Sequence, residues 1–151
     1  MRLTYDPAAN TLRLTLDERP AEAPRAALDL PGYVDVGEGG RLVGVELRAI
    51  PGRDLTAVLQ PWTSDPVAAA YVELHGDAAY ITLSVPEEGI DRGQVRTAPA
   101  TLRAELDRAH RLVALAIPRR GSGYEISYPS GNRCWRPERP GGPRAWVCAI
   151  G

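Results

Sequence analysis

The sequence predicts a mainly β fold in which two pseudo-symmetric antiparallel β repeats share one core and a C-terminal β-extension follows them. Three observations predict this fold. Apolar and polar residues alternate over short segments, turn residues separate these segments, and two segments recur later in the chain in the same order. The 151 residues are 44% hydrophobic and 25% charged, near the averages of globular proteins, which argues against disorder.

The first predicted repeat spans residues 1–50 and contains four strands. Its alternating segments after the first strand are 12–16, 33–36 and 42–47. Period-two alternation is typical of a strand with one buried face. Tyr5-Asp6-Pro7 ends the first strand, because proline has no N–H for a β ladder. Gly37-Glu38-Gly39-Gly40 separates the last two strands and supplies residues that accept positive φ in a hairpin turn.

A connector at residues 51–66 separates the two repeats, and the second repeat spans residues 67–118. The connector contains three prolines, Trp62 and a candidate helical turn at Leu55–Leu59. In the second repeat, His75-Gly76-Asp77 is a hairpin signal between two short apolar segments.

The evidence for a duplication is a pair of sequence echoes. Leu14-Thr15-Leu16 resembles Ile81-Thr82-Leu83 at an offset of 67, and residues 41–47 resemble residues 111–117 at an offset of 70. The three residues gained between the echoes fit a loop insertion. Chance similarity is the alternative. We expect the repeats to share one core, since about 50 residues alone bury too little apolar surface for comfortable stability.

Residues 101–113 distinguish two interpretations of the second repeat. Taken alone, this segment fits a helix, because Leu102, Leu106, Ala109 and Val113 fall on one helical face. The repeat instead predicts two strands around a turn near Asp107–His110. We predict the strands, because long-range pairing can override local propensity.

The C-terminal β-extension spans residues 119–151. Tyr124–Tyr128 and Arg133–Trp135 flank Pro129-Ser130-Gly131-Asn132, which predicts a hairpin. A proline- and glycine-rich loop follows, and Ala145–Ile150 is a candidate final strand.

Four motifs of the first repeat together resemble a small bacterial family called domain of unknown function 2283. They are Tyr5-Asp6-Pro7, Leu12-Arg13-Leu14, Val34-Asp35-Val36 and the segment 40–47. The resemblance covers about the first 50 residues, and Val72-Glu73-Leu74 stands where the second copy would carry its opening tripeptide. Family members usually have an acidic residue where this chain has Gly37. The resemblance implies a small β-rich domain with no established activity and supplies no catalytic residues.

Composition indicates a cytoplasmic protein. The N-terminal segment alternates polar and apolar residues, unlike a signal peptide, and no apolar stretch approaches the roughly 20 residues of a membrane helix. We therefore expect Cys134 and Cys148 to be reduced thiols rather than a disulfide. All 18 cationic residues are arginine. Anion recognition and a GC-rich genome both explain this bias, and its spread over the whole chain favours the genome.

No pattern in the sequence predicts a catalytic residue, a metal site or a cofactor. The glycines at 37–40 precede a strand, whereas phosphate-cradling loops precede a helix. The acidic residues and the four soft ligands lack metal-site spacing. These candidate ligands are Asp29, Asp35, Glu38, His75, His110, Cys134 and Cys148.

The C-terminal region is the most distinctive part for function. Residues 118–151 contain six arginines and two acidic residues, whereas residues 1–117 contain 12 arginines and 17 acidic residues. Arginines contact phosphates and aromatic side chains stack on bases, so this region is a candidate nucleic-acid interface. The candidate residues are Arg119, Arg120, Arg133, Trp135 and Arg136. The alternative is that the aromatic residues fill core and the arginines are solvated.

The leading functional prediction is a non-enzymatic interaction module that binds another protein through a sheet edge or an exposed face. A nucleic-acid-binding protein is the alternative, and an enzyme is the third option. We also predict a monomer whose two repeats mimic the dimer of a single-copy relative.

Overall fold

The computed structural model describes residues 1–16, 26–83 and 94–127, and the backbone of residues 134–135 and 147–148. The eight longer strands are β1 (Arg2–Asp6), β2 (Thr11–Thr15), β3 (Ala26–Val36), β4 (Leu42–Arg48), β5 (Val72–His75), β6 (Ala78–Thr82), β7 (Arg96–Leu106) and β8 (Leu112–Pro118). Two-residue strands follow at β9 (Arg120–Gly121), β10 (Tyr124–Glu125), β11 (Cys134–Trp135) and β12 (Val147–Cys148). The helices are α1 (Leu55–Val58) and α2 (Gln60–Ser64), and 3₁₀ turns span Glu38–Gly40 and Ala68–Tyr71.

The eight longer strands form one antiparallel sheet in the order β1-β2-β8-β7-β3-β4-β6-β5. Strands from the two halves of the chain alternate in pairs within this order. The hairpin β1–β2 joins β8, and the hairpin β5–β6 joins β4. Neither half therefore forms a contiguous sheet without the other. The predicted mainly β fold is confirmed.

The centre of the sheet is the ladder between β3 and β7, which pairs 11 residues of each strand from Ala26–Leu106 to Val36–Arg96. Both strands change register with their outer neighbours at corresponding places, between Asp35 and Val36 and between Glu105 and Leu106. These places lie seventy positions apart, as do the starts of β3 and β7 and of β4 and β8. The common descent of the two halves stays a prediction.

The core lies against the inner face of the sheet and draws on both halves of the chain. In β3, Leu30, Val34 and Val36 point inward and are buried, whereas alternate residues such as Pro31 and Tyr33 lie on the outer face. Leu102, Ala104 and Leu106 do the same in β7. One hydrophobic cluster contains all these inward residues.

Two short helices in the connector contribute to the core. The Asp54 side chain caps α1 by accepting from the Thr56 N–H at 3.0 Å, and Pro61 occupies the first turn of α2. Trp62 of α2 is fully buried, and its indole N–H donates to the Leu112 carbonyl at 2.8 Å. The predicted helical turn at residues 55–59 is therefore present, followed by a second one.

Residues 101–113 are strands around a turn, as the repeat predicted. β7 ends at Leu106 and β8 begins at Leu112. Asp107 organises the turn, because its carboxylate accepts from the Ala109 N–H at 2.8 Å and the Arg111 N–H at 2.9 Å. The helical interpretation is wrong here. β7 pairs with β3 and β8 pairs with β2, and these ladders satisfy the backbone hydrogen bonds of both strands.

The C-terminal extension differs from the predicted hairpin. β10 pairs upstream with β9, and β11 pairs with β12. Gly123 adopts φ 87° in the two-residue turn between β9 and β10, a conformation that favours glycine and permits this tighter hairpin. Residues 128–133, the predicted turn region, lie outside the described part of the chain.

Candidate functional site

An open cavity of about 580 Å³ lies on the outer face of the sheet, above the middle of the β3–β7 ladder. We call this cavity the outer groove. Its lining residues are Pro31, Gly32, Tyr33, Arg48, Pro99, Ala100, Thr101, Pro118, Arg120, Gly121, Ser122 and Tyr124. Its volume falls within the range of roughly 300–1,000 Å³ that is common for ligand sites.

The floor of the outer groove is a double row of residues paired across the β3–β7 ladder. Tyr33 pairs with Pro99, and Pro31 pairs with Thr101, in the ladder between β3 and β7. Proline is tolerated in a sheet only where its missing N–H breaks no ladder bond. β4 pairs with β3 only from Gly32 onward, and β8 pairs with β7 only from Arg103 onward. Pro31 and Pro99 therefore lie outside these two flanking ladders. The sequence places its mid-strand prolines where the neighbouring strands end.

Arg48 at the end of β4 forms one wall of the outer groove. Its guanidinium lies 5.2 Å from the centroid of the Tyr33 ring, and its Nε lies 2.7 Å from Glu46 Oε1. A guanidinium over an aromatic face is stabilised by the ring quadrupole. The stacking contact and the ion pair together restrict the rotamers of Arg48.

The β9–β10 hairpin forms the opposite wall. Arg120 Nε donates to Glu125 Oε1 at 3.2 Å, and Arg120 Nη2 lies 3.1 Å from the same oxygen. Tyr124 is buried beside Gly121, where a Cβ would overlap the Tyr124 ring. Burial raises the pKa of the Tyr124 hydroxyl above its ordinary value.

The described lining of the outer groove carries its charge on arginines that are each paired with a glutamate outside the lining. It contains two arginines, Arg48 and Arg120, and its other described members are uncharged. Both arginines are substantially exposed, with 47% and 64% of their side-chain surfaces accessible. The arrangement provides cationic, aromatic and hydroxyl groups for binding, without a described pairing of nucleophile and base.

The structure separates the two described arginines of the predicted nucleic-acid interface. Arg119 donates to the Ile126 carbonyl at 2.9 Å and to the Tyr5 hydroxyl at 3.2 Å, and it lies over the Tyr5 ring. It therefore attaches the extension to the first hairpin, whereas Arg120 lines the outer groove. Arg133 and Arg136 lie outside the described residues, and only the backbone of Trp135 is described. The nucleic-acid interface stays a prediction.

Sequence reasoning missed Tyr33, Arg48 and the prolines of the outer groove. Period-two alternation did identify Tyr33 as facing away from the core. The missing information was that β3 extends from residue 26 to residue 36, so that Pro31 and Tyr33 share one strand. A mid-strand proline on an outward-facing position was the available signal.

The other candidate ligands lie apart from one another. Asp29 lies 3.4 Å from Arg103, and His75 lies 3.3 Å from Glu73. His110 adopts φ 61° in the turn before β8. Within the described ranges, no group of three or more His, Cys, Asp or Glu side chains is placed to hold a metal ion.

The remaining candidates lie in turns or in the extension. Gly39 and Gly40 have φ 67° and 80° in the turn before β4, as the hairpin prediction requires. The backbone register places Cys134 opposite Cys148. Among the helices that the structure describes, none has the length and apolarity to cross a membrane.

Comparison with known proteins gives no match to a family model, a curated protein or a solved structure. The resemblance to domain of unknown function 2283 stays a prediction.

Proposed function

We propose that this protein is a non-enzymatic cytoplasmic interaction module that binds an extended segment of another protein in the outer groove. The observation that carries the proposal is the chemistry of the groove. Two tyrosines, three prolines and two arginines line one open cavity, in which Tyr33 is partly exposed and Tyr124 is buried at the edge of the core. Tyrosine and arginine are the residue types that most often dominate binding energy at protein interfaces.

The place of the floor in the central ladder supports binding by the face of the sheet. Tyr33 and Pro31 belong to the longest ladder of the structure, which pairs 11 residues on each strand. Side chains that are already ordered lose little conformational freedom on binding, so more of the contact energy appears as affinity. By contrast, the edge strand β5 offers only four residues for pairing with a partner.

The dimensions of the groove fit an extended segment of a partner better than the surface of a folded partner. A cavity of about 580 Å³ accommodates a few side chains, whereas a standard interface between folded proteins buries about 800 Å² on each partner. Aromatic grooves commonly recognise extended or polyproline II segments, whose conformational entropy is low before binding. The groove matches this mode of recognition.

Selection of random peptides displayed on phage, with the full chain as bait, tests the proposal. Affinity of the selected peptides is then measured by fluorescence anisotropy for the wild type, for Tyr33→Ala and for Asp29→Ala. Tyr33 lies on the groove floor, whereas Asp29 lies on the same outer face of β3 and outside the groove lining. We expect Tyr33→Ala to weaken binding about tenfold or more, and the matched control Asp29→Ala to leave it unchanged.

Two outcomes overturn the proposal. One is that no peptide family is enriched over a blank support. The other is that Tyr33→Ala, with an unchanged circular dichroism spectrum, binds the enriched peptides as well as the wild type.

A further inference from the structure

The two arginines of the outer groove are each held by a glutamate two or five positions away in the chain. Each guanidinium is held on its Nε side by a neighbouring glutamate. Arg48 Nε lies 2.7 Å from Glu46 Oε1, and Arg120 Nε and Nη2 lie 3.2 and 3.1 Å from Glu125 Oε1. Arg48 is the last residue of β4, which pairs with β3, and Arg120 begins β9, which follows β8, the partner of β7.

A guanidinium has five N–H donors in a planar fork, so one carboxylate on the Nε side leaves donors on the terminal edge. Among the described residues, neither Nη atom of Arg48 has a hydrogen-bond partner within the protein, and nor does Nη1 of Arg120. Each glutamate therefore orients its arginine without occupying all of the donors. The unoccupied donors belong to side chains that line the groove.

We infer that the segment bound in the outer groove is acidic, and that its carboxylates pair with the terminal edges of Arg48 and Arg120. This inference rests on the proposed function. Its warrant is charge complementarity at the terminal edges of the two arginines, because the described lining contains no acidic residue, and Glu46 and Glu125, which lie outside it, contact the guanidinium groups on their Nε sides. Stacking of Arg48 on Tyr33, 5.2 Å from the ring centroid, also reduces the rotamer freedom that binding would otherwise remove.

Arginine, rather than positive charge alone, is the required group in this arrangement. A lysine ammonium is a single point charge, which Glu46 or Glu125 would attract away from the partner. A planar guanidinium contacts its glutamate on one side and a second carboxylate at its terminal edge. Arg48→Lys and Arg120→Lys preserve the charge and remove this two-sided geometry.

Peptides selected on the wild-type chain provide the test. We expect the enriched peptides to contain more Asp and Glu than the input library. An analogue with Asn and Gln at those positions should bind about tenfold or more weakly. The double variant Arg48→Lys with Arg120→Lys should lose a similar factor. Arg103→Lys, an exposed residue of the same outer face outside the groove lining, is the matched control and should bind normally.

The results separate the inference from the proposed function. Enriched peptides that are neutral or basic, or amide analogues of undiminished affinity, overturn the acidic partner and leave the protein-binding function in place. Full affinity in the double lysine variant also overturns it. Failure to enrich any peptide overturns the proposed function itself. Competition by single-stranded oligonucleotides at equal charge concentration would indicate phosphate recognition and would also contradict an acidic protein segment.

Discussion

Asp35 of β3 accepts a hydrogen bond from the Tyr80 hydroxyl of β6 at 2.7 Å, although β4 lies between these strands. The Thr97 hydroxyl of β7 donates to the other Asp35 oxygen at 2.6 Å. One carboxylate therefore connects side chains from both sides of β3. Glu105, seventy positions after Asp35, accepts from Arg13 of β2 across β8 in the same way.

Alkaline solution should destabilise the fold through Tyr80. Burial, followed by the hydrogen bond and the negative charge of Asp35, raises the pKa of this hydroxyl above its ordinary value of 10.0. Because the folded-state pKa is the higher one, the stabilisation is complete below pH 10.0 and is lost as the pH rises above it. Urea unfolding between about pH 8 and about pH 11 should show a smaller alkaline loss in Tyr80→Phe than in the wild type. An equal loss in both proteins would contradict this assignment.

The stability of the fold should depend on glycine at position 44, because the Tyr80 side chain lies directly against it. A Cβ at this position would overlap the phenolic end of the Tyr80 side chain. We expect Gly44→Ala to reduce the free energy of unfolding by about 1–3 kcal/mol, as overpacking does. In a Tyr80→Ala background the same change should become neutral or stabilising, because alanine restricts the unfolded chain more than glycine does. Urea denaturation of the four proteins in this cycle measures the coupling, and additive effects would argue against the contact.

Trp62 should stabilise the fold by packing and by its hydrogen bond. Its buried indole N–H donates to the Leu112 carbonyl at 2.8 Å. Trp62→Phe removes the donor and leaves the carbonyl without that partner, which should cost about 1–3 kcal/mol of unfolding free energy. Trp62→Ala should cost about 3–5 kcal/mol, because it also creates a cavity. Thermal or urea unfolding provides the measurement, and a Phe variant of wild-type stability would exclude the structural importance of the hydrogen bond.

Arg119 and Arg120 should differ in their effects, although they are adjacent. Arg119 is 24% exposed and bonds to Tyr5 and Ile126, whereas Arg120 is 64% exposed. Arg119→Ala should reduce the free energy of unfolding by about 1–3 kcal/mol. Arg120→Ala should change the free energy of unfolding by about 0.5 kcal/mol or less. The same variant should bind the selected peptides more weakly. Equal stabilities of the two variants would contradict the anchoring role of Arg119.

The nucleic-acid alternative has a separate measurement. Binding of oligonucleotides should fall steeply with salt if the arginines contact phosphates. It should disappear in the double variant Arg133→Ala with Arg136→Ala. An absence of binding at low salt would eliminate this alternative.

The chain should be a monomer in solution. Its central ladder already joins strands from the two halves, which a single-copy relative would have to contribute from two molecules. Size-exclusion chromatography with light scattering should give a mass near 16.3 kDa. A robust dimer would contradict this prediction.

Several elements followed directly from local pattern. Glycines at 39 and 40, with φ of 67° and 80°, permit the turn before β4. Alternation of side chains predicted β4 and β8, and the match between them predicted strands rather than a helix at residues 101–113. The hairpin predicted around residues 129–132 lies largely outside the described residues, and Tyr124–Glu125 pairs with Arg120–Gly121.

The sequence by itself determined the core-facing side chains where alternation is regular, as at Leu12 and Leu14 of β2, because alternation in a strand assigns every second side chain to one face. Where the register shifts, as at Leu42 and Val43 of β4, consecutive side chains are buried and alternation fails. Only the tertiary structure decided the length of β3 and its partner, because Pro31-Gly32 has weak strand propensity and its conformation depends on pairing with β7. It likewise decided that Tyr33, Arg48 and Arg120 line one groove. These three side chains come from β3, β4 and β9, and no local pattern encodes how a curled sheet brings its strands together.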